Sequence, residues 1–161
     1  MEYKEREIRA ITIDIDQQHK RYGYRAIKRV FDFFASLAGL LILSPLFLAI
    51  AVAIKLEDPK GAVFYSQVRL GQNQVPFKMY KFRSMVSNAD ELLTQLLAKN
   101  EINGAMFKMR TDPRVTRTGR FIRKYSLDEL PQLLNVLLGQ MSLVGPRPPL
   151  PREVKEYTDY D

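Results

Sequence analysis

The apolar positions of this chain gather into one long block and then disperse into shorter periodic patterns. Residues 31–54, FDFFASLAGLLILSPLFLAIAVAI, are almost wholly apolar over 24 positions, with Asp32 near the start and Ser44-Pro45 near the middle. A straight helix of that length crosses a bilayer. Pro45 has no N–H to give the Leu41 carbonyl and its ring clashes there, so the pattern predicts a helix that kinks or breaks at its centre. Ser44 can bond back to a carbonyl one turn earlier and satisfy part of what the break exposes. Arg25, Lys28 and Arg29 precede the block and Lys55 follows it, so the positive charges do not favour either end being outside. That symmetry suits a re-entrant hairpin with both ends cytoplasmic. A proline-kinked transmembrane helix is the alternative, and the residues alone leave both open. A buried soluble helix is disfavoured, because an 18.7 kDa domain has little core with which to surround so long a rod.

After the exit LEDPKG, the runs AVFYSQVRLG and VPFKMYKFRSM roughly alternate apolar and basic residues and predict strands. Asn88 can cap a helix with Glu91 three residues on; Leu92, Leu93, Leu96 and Leu97 mark its apolar face, and Gly104 offers a stop. The remainder reads as a basic loop through FKMRTDPRVTRTGRFIRKY, a second apolar helix in SLDELPQLLNVLLG and a proline-rich turn in MSLVGPRPPLP. Residues 1–24 form a polar lead-in with a short alternation at Ile11, Ile13 and Ile15, and their acids exclude a signal peptide. The expected organisation is thus a lead-in over 1–24, a membrane helix hairpin over 25–57 and a small cytosolic domain over 58–161. The expected fold class is α+β, mainly helical, with a few short strands.

Composition narrows the chemistry. There are no cysteines, which excludes disulfides, thiolate metal sites and cysteine nucleophiles. The one histidine, His19, lies in the polar lead-in, so a Ser-His-Asp triad or a multi-histidine metal site is not expected. Catalysis must therefore use carboxylates, lysines, arginines, hydroxyls or a carboxylate-held hard cation. The net charge of +7 is uneven: residues 55–125 carry fourteen basic and six acidic side chains, whereas 126–161 carry three and six. A basic middle implies an anionic partner.

Three constellations carry candidate chemistry. Asp128 and Glu129 are adjacent acids at a helix start, preceded by Arg117, Arg120, Arg123 and Lys124. Ser126 and Glu129 also fit a capping box, although Pro131 sits awkwardly for a cap at Ser126 and more easily for one at Leu127 or Asp128. An Asp128 near the helix N-terminus would be held ionised by the dipole and the cations, as a carboxylate nucleophile or cation ligand must be. In the second constellation, Gly145, Pro146, Pro148, Pro149 and Pro151 stiffen a turn that aims Arg147, a good bidentate phosphate ligand. The plain alternative is a packing turn with Arg147 solvated. The third interleaves Lys78, Lys81 and Arg83 with Tyr80 and Phe82. That pattern suits single-stranded nucleic acid or an edge strand facing lipid headgroups; the apolar block favours the second, and no nucleic-acid partner is expected.

Together these segments resemble the bacterial sugar transferases of the monotopic polyprenyl-phosphate phosphoglycosyl transferase family. The likeness rests on KRVFDFFASLAGLLILSPLFLAIA, FYSQVRLGQNQVPFKMYKFRSM and DPRVTRTGRFIRKYSLDELPQLLNVLLGQMSLVGPRP, in that order, between about residues 28 and 151. The resemblance implies that Ser44-Pro45 breaks a re-entrant helix that dips into one leaflet of the bacterial inner membrane from its cytoplasmic face. It implies that Asp128 is the nucleophile on the β-phosphorus of a UDP-sugar, in a dyad with Glu129 that works with Mg²⁺. UMP leaves, and a polyprenyl (undecaprenyl) phosphate then takes the phosphosugar, the first step of exopolysaccharide, capsule or glycan synthesis. Arg147 matches the family's phosphate-holding arginine, and charge and placement add Lys81, Arg83, Arg120 and Arg123 as supporting ligands of the diphosphate. The family normally continues for several tens of residues past the GPRP segment, so the resemblance also raises the expectation of a C-terminally shortened chain. A membrane-bound scaffold without turnover is the alternative function on that ground. The sequence leaves the sugar and any homo-oligomer undetermined.

Overall fold

A computed structural model describes residues 22–96 and 112–154. Ile11, Ile13, Ile15, His19, Leu97 and Gly104 lie outside the described residues. The apolar block forms two helices, α1 (Tyr22–Ile42) and α2 (Ser44–Glu57), bent by 58° where they meet. Pro45 falls in the first turn of α2, where its missing N–H costs no internal bond. The Leu41 carbonyl that it cannot serve accepts instead from the Ser44 hydroxyl at 2.8 Å. Backbone bonds continue on both sides of the break, from the Leu43 N–H to Gly39 and from the Phe47 N–H to Leu43, each at 2.9 Å. Among the described residues no single helix is long and apolar enough to cross a membrane, while the bent pair satisfies that test of length and composition together. Ile27, Val30, Phe31, Phe34, Leu41 and Ile42 on α1, and Leu48, Val52 and Leu56 on α2, are exposed.

The two expected strands are β1 (Phe64–Leu70) and β2 (Pro76–Phe82), a two-stranded antiparallel ribbon registered from Phe64 opposite Phe82 to Leu70 opposite Pro76. Two strands alone are marginal in water. Here Phe82 anchors the ribbon: it is 1% exposed, stacks on Phe64 at 5.3 Å and takes Phe47 of α2 edge-on at 5.2 Å between ring centroids. Ile50 and Ile54 of α2 and Ile122 complete this core, with Val63, Leu127 and Leu130 against it. Helix α3 (Ala89–Leu96) begins one residue after Asn88, where the capping pattern places its start.

The basic stretch expected as a loop is in part a helix, α4 (Arg117–Lys124). Its start is doubly capped. Thr116 accepts from the Gly119 N–H at 2.9 Å, and the Glu57 carboxylate at the end of α2 accepts from the N–H groups of Arg117 at 2.6 Å and Thr118 at 2.9 Å. The inward side is carried by Gly119 and Ile122. Gly119 packs directly on the Ser84 backbone, where an added Cβ would lie 2.0 Å from the carbonyl oxygen, so only glycine permits the approach.

The second apolar helix is shorter than the pattern suggests: α5 spans Gln132–Leu137, with Pro131 immediately before it. The acids therefore do not occupy the first turn of an α-helix. They lie on a separate 3₁₀ turn, Leu127–Glu129, and Ser126 before it is left-handed (φ 56°) with no side-chain capping bond. Pro131 explains the displacement, since it can begin a helix and cannot sit in its interior. The chain ends its described part in a short turn of helix, α6 (Pro151–Val154).

Helix α1 holds α5 in place. Gly39 meets the Leu133 side chain, and the Arg29 guanidinium donates to the carbonyls of Val136 at 2.6 Å and Leu137 at 2.8 Å, capping the C-terminus of α5. Buried Asp32 pairs with Lys28 at 3.4 Å and accepts from the Leu143 N–H at 3.2 Å, while Lys28 also bonds the Ser142 hydroxyl. Asn135, fully buried on α5, ties that helix to β2: its Oδ1 accepts from the Tyr80 N–H at 3.0 Å, and its Nδ2 donates to Lys78 O and Gln140 Oε1, both at 2.7 Å.

Candidate active site

The acid turn stands at the wall of a cavity of about 730 Å³, of the size that holds a nucleotide-scale ligand. Its lining brings together five cations, Arg69, Lys81, Arg83, Arg123 and Arg147, with Asp90, Asp128 and Glu129. Six of the residues singled out in the sequence thus converge from β2, α4, the acid turn and the proline-rich turn. Arg120 does not: it lies exposed on α4 away from the lining. Ser44 and Pro45 form the helix break and take no part in the cavity.

The two acids are adjacent in sequence and unlike in environment. The Lys81 ammonium donates to Glu129 Oε1 at 2.6 Å, and this bond, against some burial and helped by Arg147, holds the Glu129 carboxyl below its usual pKa. At Asp128 burial dominates and raises the pKa; Glu129 adds to the rise, and Lys81 and Arg123 only partly offset it. The expectation that a helix dipole and cations keep Asp128 readily ionised is therefore corrected. The dipole is out of place because Pro131 puts α5 beyond the acids, and desolvation exceeds the pull of the cations. Pairs of carboxyls whose surroundings drive their pKa values apart are a mark of acid–base or nucleophilic sites.

The cations are committed to different degrees. Arg83 sends one terminal nitrogen to Asp58 Oδ2 at 2.7 Å and the other to the Asp58 carbonyl at 2.8 Å, latching the end of β2 to the exit of α2. Gly61 makes room for this latch, since a Cβ there would strike the guanidinium. Arg123 bonds the Ser84 hydroxyl at 2.8 Å through Nε. Arg147 is exposed on its turn.

That turn is fixed by a residue the sequence reading does not single out. Arg69 on β1 is 6% exposed; it donates to the Pro148 carbonyl at 3.1 Å and faces Glu153 at 3.6 Å, while the Leu70 N–H donates to Pro149 O at 3.0 Å. Burial and the neighbouring Arg147 lower the Arg69 pKa. The buried Nε of Arg69 has no hydrogen-bond partner among the described residues. Arg69 carried no sequence signal, because it alternates with the apolar Val68 and Leu70 and so falls on the polar side of the strand. Asp58, Glu57, Arg29, Asp32 and Asn135 carried none, because their partners lie far along the chain.

Among the described residues no group of three or more His, Cys, Asp or Glu side chains could enclose a metal ion. Two neighbouring carboxylates do suit Mg²⁺, a hard cation that is commonly held by one or two acids and fills its remaining positions with water and substrate phosphate oxygens.

Comparison with known proteins places the chain in a family. Residues 23–161 match the profile of the family described as bacterial sugar transferase. The chain is 49% identical to the undecaprenyl-phosphate galactose phosphotransferase of Salmonella typhimurium over 84% of its own length and 29% of that protein. It is 44% identical to the galactosyl transferase CpsE of Streptococcus agalactiae, over 91% of the chain and 32% of the relative. It is 47% identical to the exopolysaccharide production protein ExoY of Rhizobium meliloti, over 81% of the chain and 59% of the relative. The chain therefore spans only part of the length of these three proteins.

Proposed function

Because the chain belongs to the bacterial sugar transferase family, we propose that it moves a sugar 1-phosphate from a UDP-sugar to a polyprenyl phosphate in polysaccharide synthesis. The observation that carries this reading is the unequal acid pair, Asp128 raised and Glu129 lowered in pKa, at the wall of a cavity lined by five cations. The names of the relatives, an undecaprenyl-phosphate galactose phosphotransferase among them, support the acceptor and the transfer.

In this reading Asp128 attacks the β-phosphorus of the bound UDP-sugar. An Asp128 oxygen forms the new bond to phosphorus, the bond to the bridging oxygen breaks, and UMP leaves with that oxygen and its electron pair. A terminal oxygen of the polyprenyl phosphate then attacks the same phosphorus and releases the Asp128 carboxylate, so that two displacements replace one difficult transfer. Lys81 and Arg147 offset charge on the phosphoryl oxygens. Burial makes the Asp128 carboxylate more basic and a stronger nucleophile once ionised. When bound, Mg²⁺ would be held by Asp128 and Glu129 and would supply Lewis-acid stabilisation of the diphosphate. Arg83 and Arg123 line the same cavity and act chiefly by shaping it, given their bonds to Asp58 and Ser84.

The bent α1–α2 pair, with its exposed apolar faces, supports a re-entrant element that seats the enzyme on the cytoplasmic leaflet of the inner membrane. Lipid acceptor and soluble donor then meet at one surface. The test is UMP release from a UDP-hexose in the presence of undecaprenyl phosphate and Mg²⁺. Asp128→Asn is expected to lower the rate at least about 10³-fold, the scale on which nucleophile loss acts. Retention of the rate in Asp128→Asn removes the assignment.

A further inference from the structure

Strand β1 brings three alternate residues to the cavity, Tyr65, Gln67 and Arg69, which share one face of the strand. Burial deepens along that line. Tyr65 is 52% exposed, Gln67 is half-buried, and Arg69 is buried against the Pro148 carbonyl beside Arg147. The cations suit phosphate oxygens. An aromatic ring and a carboxamide suit instead a neutral ligand that has hydroxyl groups and an apolar face.

Both uncharged side chains stand close to the acid pair. Tyr65 lies directly across the ribbon from Lys81, whose ammonium donates to Glu129, the neighbour of Asp128. The Gln67 amide oxygen accepts from the Arg69 guanidinium at 3.3 Å, which steadies the amide and leaves its N–H donors for a ligand. The other end of the cavity lies past the Tyr65–Lys81 pair, where the Arg83 N–H bonds the Val63 carbonyl and where the Arg83 guanidinium and the Ser87 N–H are fastened to Asp58. Phosphoryl displacement runs roughly in line, so the group that Asp128 expels departs on the side of phosphorus away from the acids. The nucleoside of the donor then extends toward the Arg83 end, while the sugar stays on the attacked phosphorus, beside Tyr65 and Gln67.

Resting on the function proposed above, we infer that Tyr65 and Gln67 form the sugar subsite of the donor. The Tyr65 ring packs against the C–H face of the hexose, and the Gln67 amide donates to its hydroxyl groups. The two side chains contribute affinity for the sugar and none for the nucleoside, so they act on the reaction through the KM of the UDP-sugar. Tyr65 is the informative position, because a ring that is about half exposed can be truncated with little loss of packing.

The experiment follows transfer of labelled sugar phosphate to undecaprenyl phosphate by the full chain in phosphatidylcholine nanodiscs with Mg²⁺, using the fastest donor among UDP-galactose, UDP-glucose and UDP-N-acetylgalactosamine. Inhibition by added UMP, which carries the nucleoside and no sugar, is measured beside it. Tyr65→Ala and Gln67→Ala are each expected to raise the KM of the UDP-sugar about tenfold, the scale of one lost directional contact, and to leave the inhibition constant of UMP unchanged. Tyr65→Phe keeps the ring and should keep the wild-type KM. A KM unchanged in both alanine variants overturns the inference, as does a parallel weakening of UMP inhibition, which would put the nucleoside on this face, or a Tyr65→Phe as impaired as Tyr65→Ala. A wild type that turns over none of the three donors removes the proposed transfer and this subsite with it, whereas an active wild type with any of the overturning variant results removes the subsite alone.

Discussion

Lys81 lies 2.6 Å from Glu129 and donates to it, while the adjacent Asp128 has no ion pair with a cation among the described residues. The Lys81 ammonium thus pairs with the second acid, while the first lies in a desolvated position where its pKa rises. Lys81 still lowers the Asp128 pKa through space, more than any other charge around it.

That coupling predicts a pH profile. A nucleophilic carboxylate works only when ionised, so kcat/KM is lost as pH falls through the Asp128 pKa, above the ordinary aspartate range. Lys81→Met removes the largest opposing charge and is expected to move the acid limb to higher pH, with a greater loss of rate at the acid end of the profile than at its alkaline end. A limb that stays in place in UMP-release profiles shows that Lys81 acts only through Glu129.

Parts of this arrangement were legible in the sequence for local reasons, and the rest was not because its causes are distant. The break at Ser44-Pro45 follows from one missing N–H, and the repair by Ser44 needs only its own hydroxyl. The strand pair follows from alternation over residues 64–82. Helix α4 is hidden because cations fill its outer face and its start is capped by Glu57, about sixty positions earlier in the chain. The acid turn was legible in its residues and not in its electrostatics. The letters of a capping box are present, yet Pro131 delays the helix and burial reverses the direction expected for Asp128.

The raised Asp128 pKa also predicts that the acid costs stability. Below its ordinary value of 3.8 both folded and unfolded chains hold the proton. As pH rises through the window from there to the raised folded value, the unfolded chain loses its proton first, so ionisation favours unfolding, and the cost persists at neutral pH. Asp128→Asn should therefore raise the melting temperature at pH 7.5 while abolishing turnover. The gain should vanish when the melt is repeated near pH 3.5. A lower melting temperature at pH 7.5 would mean that the carboxylate makes a stabilising bond.

The 58° bend between α1 and α2 depends on the missing N–H of Pro45. Pro45→Leu restores a donor for the Leu41 carbonyl and removes the ring clash, and a continuous helix over residues 22–57 would reach roughly 54 Å, well beyond the ~30 Å of a bilayer core. The absence of cysteine makes the check direct. Tyr22→Cys and Lys60→Cys mark the two ends at exposed sites; in vesicles a membrane-impermeant thiol reagent should label both from one side in the parent sequence. With Pro45→Leu the two labels should separate to opposite sides. Separation already in the parent sequence would discard the re-entrant reading.

The Asn135 side chain makes three hydrogen bonds across the fold. One buried amide serves the Tyr80 N–H, the Lys78 carbonyl and Gln140, taking over the role of a third strand along the outer edge of β2. Asn135→Leu keeps the number and branching of the side-chain heavy atoms and leaves the two backbone groups buried without partners, at a cost of about 2–4 kcal/mol. For a chain of this size that corresponds to a fall of roughly 5–15 °C in Tm. Lys81 follows Tyr80 on the same strand, so loosening this edge should also weaken the bond to Glu129. The folded fraction of Asn135→Leu at low temperature is therefore expected to turn over more slowly, with the acid limb of its pH profile displaced in the same direction as in Lys81→Met. Asn135→Asp retains the acceptor for Tyr80 but opposes an oxygen to the Lys78 carbonyl, and should recover little of the lost stability. Thermal melts of the three chains, read beside their pH profiles, decide the matter: a Tm loss with no displacement of the profile would confine Asn135 to holding the scaffold.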